Sequence, residues 1–275
     1  MPISMSAALD LSKAASATEP VLWFCMRANI LLPPAALLLA LSASGYAAET
    51  SWRDIESRIQ YGYYTEDVPA LRSLEGLIAA DETHDKRHGY YSALLDWRLA
   101  QLAAQGVAHG VSAAGLAQTC VSAADDSLTA QADFADALAL RAACQATPLA
   151  ATDYALFTGH QRLRRDLERA RQLSPHDPRV LLVDGMNDYL LPPSAGGNKD
   201  RALPKLRLAV AAFERERAGL ERLPGWGAAE AYLFLARDLL DHADPVAARD
   251  ALEHALLIAP EFAQARRLMA KIIAG

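Results

Sequence analysis

Apolar runs long enough to cross a membrane are missing from this chain, as are an overall positive charge, long β-branched runs and the short motifs of catalysis. Each absence excludes something. The longest apolar stretch, Ile30 to Leu41, is interrupted by Pro33-Pro34 and falls short of the about 20 residues a spanning helix needs. A formal net charge of −6 argues against nucleic acid and anionic membrane as partners, because both select a concentrated positive surface. No GxSxG, HExxH or GxxxxGK[ST] occurs. Hydrolytic nucleophile, zinc-protease and P-loop chemistry therefore find no support, and the chain reads as a non-enzyme without a cofactor.

What is present begins with an export signal. Residues 26–47 read as a signal peptide: Arg27 gives the positive start, Ile30 to Leu41 the apolar core, and Gly45-Tyr46-Ala47 a small-residue cleavage site before Ala48. The stretch 1–25 is unpatterned, which points to a non-native or unstructured extension and to Met26 as the natural start. Cleavage after Ala47 yields a periplasmic or secreted chain of residues 48–275. The removed part carries Lys13, Arg27, Asp10 and Glu19, so the charge remains −6.

The mature chain is rich in Ala, Leu and Arg, which favours helix throughout. In "AEAYLFLARDLLDHADPVAARDALEHALLIAP" (229–260), Tyr232, Leu235, Ala236 and Leu239 recur at helical spacing before "DHADP" breaks the pattern. Ala248, Leu252 and Ala255 then recur before Pro260. The small residues let two antiparallel helices approach closely. Leu167, Ala170 and Pro175, and again Ala202, Leu206 and Ala209, repeat these intervals. Internal repetition at this period predicts an all-α solenoid of about five helical hairpins, closed by a capping helix at 261–273.

The spacing of large and small residues in 229–260, and of Pro175, Gly185 and the "PPSAGG" corner before it, resembles secreted bacterial tetratricopeptide repeat (TPR) proteins. That resemblance implies a right-handed superhelix whose concave face binds protein or peptide. The repeat positions it assigns to that face are Arg179, Leu182, Met186, Tyr189 and Leu190, then Glu230, Leu233, Arg237, Leu240 and Asp241. The leucines suit packing between repeats, leaving Arg179, Met186, Tyr189, Arg237 and Asp241 as candidate partner-binding residues. The alternative is a small-molecule-binding accessory subunit of a periplasmic transport system, with a central pocket lined by Trp52, Trp97, Tyr61, Tyr63 and Tyr64.

The remaining motifs have plainer readings. "PPSAGGNK" (192–199) has the wrong glycine spacing for a phosphate loop and reads as an enlarged corner, with Asn198 capping the next helix. His84 and His88 lack a third ligand, so no metal site is expected. Arg162, Arg165 and Arg169 share a helix face and suit local i,i+4 partners. Cys120 and Cys144 pair if they meet, since an exported chain sees oxidant. A hairpin turning near Ser127 would leave them about 15 Å apart along the helix axis, so a disulfide and two buried thiols both stand.

Overall fold

The computed structural model describes residues 52–81, 83, 85–147, 153–217 and 222–274, with the backbone alone for 153–159 and 217. The extension, the signal peptide, the Met26 start and His84 lie outside the described residues. Among these residues the fold is all-α, with eleven α-helices and no strand. In chain order they are α1 (52–65), α2 (Val68–Ala79), α3 (Lys86–Ala104), α4 (Ala113–Ala130), α5 (Ala135–Ala146), α6 (Asp153–Leu173), α7 (Pro178–Leu190), α8 (Lys199–Arg217), α9 (Ala228–Asp241), α10 (Pro245–Ile258) and α11 (Ala263–Ala274). No helix of the described residues is long and apolar enough to cross a membrane.

The helix starts are written in the sequence. Asp177 accepts from the Arg179 and Val180 amides and is followed by Pro178, while Asp244 accepts from the Ala247 amide and is followed by Pro245. Asp67, Asp85 and Ser112 cap α2, α3 and α4 in the same way. Such a cap contributes about 1 kcal/mol. Sequence neighbours then pack as hairpins: α3 on α4, α5 on α6, α7 on α8 and α9 on α10. Gly89 marks the closest approach, since a Cβ there would lie 2.6 Å from the Ser127 amide of α4.

The first helices of the hairpins also touch one another. α3 packs on α5, α5 on α7 and α7 on α9. The circuit is completed by α1, which meets α3 through the stacked pair Trp52–Tyr91, with ring centroids 5.1 Å apart. On its other side α1 meets α9, where the Tyr64 hydroxyl donates to Glu230 at 2.7 Å. Five inner helices therefore surround a common centre. The start of α11 joins them, with Phe262 against Tyr64 and the Gln264 amide donating to the Tyr63 hydroxyl.

Two sequence expectations need correction here. α4 runs on through Ser127 to Ala130, and the turn lies at 131–134. The polar run Asp125-Asp126-Ser127 looks like a turn but is held by tertiary partners: Ser127 Oγ donates to the Lys86 carbonyl, and Asp125 accepts from Arg141 and Arg162. The later turn brings Cys120 opposite Cys144, and the two are joined as a disulfide with Cα atoms 5.9 Å apart. The arginine face of α6 also has longer-range partners than expected, because Arg162 reaches α4 and Asp166 is bound by Arg141 of α5.

Candidate ligand-binding site

The amino-terminal and carboxy-terminal ends of the five inner helices differ in kind. From the amino-terminal side up to the floor of the open end, the centre is filled by buried polar groups and aromatics. Arg98 of α3 is fully buried and bonds Glu230 of α9 and Gln60 of α1, while its guanidinium lies 4.2 Å from the centre of the Tyr63 ring. Trp226, from the "LPGWG" segment between α8 and α9, stands edge-on to Trp97 and donates its indole N–H to the Tyr90 hydroxyl at 2.7 Å. Glu56 accepts from Tyr91 and from the Gly225 amide, and burial raises its carboxyl above the usual range. Arg179 is clasped by Glu216 through two hydrogen bonds of 2.9 and 2.7 Å. Here burial pushes the neighbouring Asp136 carboxyl up to about 7, with Asp177 adding to the effect. This end is closed.

At the carboxy-terminal side an axial cavity of about 690 Å³ opens between all five inner helices and α11. That volume falls within the roughly 300–1,000 Å³ of small-molecule sites. Trp97, Tyr63, Phe234, Met186, Leu191 and Leu268 supply an apolar wall. Arg237, Arg267 and Lys271 supply the positive charge. Helix carbonyl ends carry partial negative charge, and these cations offset it. Arg237 donates to Gln264 and lies 5.0 Å from the Phe234 ring centre, Arg267 is bound by Glu66, and Lys271 has no ion pair among the described residues. No His or Cys is among the described lining residues. Tyr63 stays a phenol, because burial raises its pKa.

The five residues singled out from the repeat pattern divide three ways. Met186 and Arg237 line the cavity. Tyr189 and Asp241 bond each other, Lys199 pairs with Asp241 at 2.8 Å, and the Tyr189 ring packs edge-on against Phe234. Arg179 is corrected: it is 1 % exposed and belongs to the closed end, because Glu216 of α8 reaches back across α7 to neutralise it. Of the aromatics considered for a central pocket, Trp97 and Tyr63 line it. Trp52 and Tyr64 are consumed by packing and hydrogen bonding, and Tyr61 is 60 % exposed. The sequence reading missed Trp226 and the contribution of α11. The "LPGWG" break in the repeat was the available signal for the first.

The glycine-rich corner builds a second, polar cleft of about 540 Å³ between α6, α7 and α8. Gly196 has φ +89° and presses on His160 of α6. Gly197 instead permits a close approach, since a Cβ there would lie 1.7 Å from the Leu191 carbonyl oxygen. Asn198 caps α8 through the Arg201 amide at 2.8 Å, as its sequence position predicts. No cluster of metal-ligating side chains occurs among the described residues. His242 bonds the Asp238 carbonyl and Asp200, and His254 stacks on Tyr232.

No protein-family model matches the chain, and no curated protein matches it by sequence. A solved structure does. The HusA haemophore from Porphyromonas gingivalis is similar with a TM-score of 0.56 at 21% identity, covering 70% of this chain and 93% of that one. At this identity the likeness establishes a shared all-helical fold.

Proposed function

We propose that the protein is an exported carrier of a flat, largely apolar, anionic small molecule, with a tetrapyrrole such as haem as the favoured class. The observation that carries this reading is the axial cavity, which joins an aromatic and aliphatic wall to the cations Arg237, Arg267 and Lys271 at one mouth. A tetrapyrrole has that division: a broad ring to stack on Trp97, Tyr63 and Phe234, and acidic side chains to meet the cations. The fold likeness to a haemophore supports the choice of class. Of the side chains that commonly ligate haem iron, Tyr63 and Met186 are among the described lining residues, beside the ring and carboxylate contacts.

The hairpin succession, read as a TPR-like superhelix, also allows a protein scaffold. That reading has less behind it. Arg179 is buried in an ion pair, and Tyr189 and Asp241 are bonded to each other. The test is titration of residues 48–275 with haemin, followed by the Soret band. Saturable one-to-one binding supports the carrier. Linear, unsaturable change, equal to that of an unrelated helical protein, would leave the scaffold as the better account.

A further inference from the structure

We propose that the polar cleft between α6, α7 and α8 is a second site, for a small oxyanion: a carboxylate or a phosphate. This goes beyond the carrier reading and requires no ligand in the axial cavity.

The reason is a count of donors and acceptors. The cleft is lined by Arg164, Arg171, Arg201 and Lys205 against Glu168, Asp184 and Asp188, an excess of one positive charge. Its two buried acids are already saturated. Asp184 accepts from Arg171 and Lys205, each at 2.9 Å, and Asp188 accepts from Arg201 and Lys205 at 2.7 Å. These cations hold the Asp188 carboxyl below its ordinary range despite its burial.

Donors are left over. Asn187 is 5 % exposed, stands in the wall shared by this cleft and the axial cavity, and its side-chain Nδ2 has no hydrogen-bond partner. Nδ1 of His160, set in the wall by Gly196, is likewise buried without a partner, and it donates only in the tautomer that places the ring proton there. Arg164 is exposed at the edge and makes no ion pair among the described residues. Glu168, one helical turn on, is exposed as well and is the one acid of the cleft without an ion pair among the described residues.

A buried amide donor without an acceptor is costly, and most such groups in folded proteins are satisfied. A ligand oxygen between Asn187 and Arg164 supplies the missing acceptor and the missing negative charge together. The "PPSAGG" corner thereby gains a use. It carries no phosphate-loop motif, yet it folds over α6 and walls a cleft.

The test is isothermal titration of residues 48–275, free of haemin, with inorganic phosphate and separately with acetate, chloride replacing each anion at constant ionic strength. Saturable binding of one or both is expected, and the stronger of the two tells phosphate from carboxylate as the natural group. Asn187→Leu and Arg164→Gln should each weaken it by about fivefold, roughly the contribution of one hydrogen bond. Arg164 is exposed, so its variant keeps the fold even if the Asn187 variant does not. Lys271→Gln, in the other cavity, should change nothing. Heat no different from chloride, or binding that Arg164→Gln leaves intact, would overturn the proposal. Because haemin is absent throughout, failure here leaves the carrier reading untouched, and failure of the haemin titration leaves this site untouched.

Discussion

Tyr64 and Glu230 are 166 residues apart in sequence and 2.7 Å apart in the fold. Their hydrogen bond joins α1 to α9, and the same carboxylate receives the Arg98 guanidinium from α3. Three inner helices are tied at one acidic side chain that is 1 % exposed. Removing it leaves Arg98 buried without its counter-charge, which in comparable pairs costs about 3–5 kcal/mol. Glu230→Ala is expected to lower the urea unfolding free energy by that amount. Glu230→Gln, which retains hydrogen-bonding atoms, should cost less. A loss below about 1 kcal/mol for the alanine variant would mean that the circuit is held elsewhere.

The Cys120–Cys144 disulfide ties α4 to α5 across a sequence separation of 24. A loop of this length restricts the unfolded chain enough to stabilise the fold by about 3 kcal/mol. Adding reductant should lower the urea midpoint of the wild-type chain and leave a Cys120→Ser/Cys144→Ser variant unmoved. Equal midpoints with and without reductant would contradict the linkage.

Stability should also depend on pH through Asp136. Its carboxyl is raised to about 7 by burial and by Asp177, against about 3.9 in an unfolded chain. The folded state therefore holds a proton that the unfolded state releases. This contribution is complete below about pH 4 and is lost as pH rises toward 7. Asp136→Asn should flatten that part of the Tm-against-pH curve and melt higher than wild type at pH 8. Parallel curves for the two proteins would rule the group out.

Lys271 tests the mouth of the axial cavity without disturbing an existing ion pair. Lys271→Gln is expected to weaken haemin binding by about threefold to tenfold, the range of one exposed charge-assisted contact. Lys271→Arg should keep most of the affinity. Raising ionic strength should narrow the gap between wild type and the glutamine variant.

Much of the helical order was legible in the sequence, for local reasons. The intervals Ala248, Leu252 and Ala255 describe one face of α10, and all three are fully buried. The Asp177-Pro178 and Asp244-Pro245 pairs announce helix starts through capping chemistry that needs no tertiary partner. The closure of α1 onto α9 and α11 was not legible. It depends on single polar side chains, Gln60, Tyr64 and Glu230, that carry no period and find their partners only after the helices have packed. The turn after α4 was misplaced for the same reason, since Asp125 and Ser127 look like loop residues until Arg141, Arg162 and Lys86 are beside them. The candidate site divides likewise. Met186 and Arg237 follow from repeat positions, whereas Lys271, Arg267 and Leu268 reach the cavity from a helix expected only to cap the end.

The most direct measurement uses the two methionines that lie beyond residue 47, Met186 and Met269. Met186 lines the axial cavity, and Met269 packs on the core outside that lining. With both methyl groups carbon-13 labelled in residues 48–275, zinc protoporphyrin is added and the methyl spectrum followed. A tetrapyrrole seated in the cavity should move the Met186 signal strongly through its ring current and leave Met269 close to its starting position. An unmoved Met186 signal, or a shift confined to Met269, would contradict the carrier account at its centre.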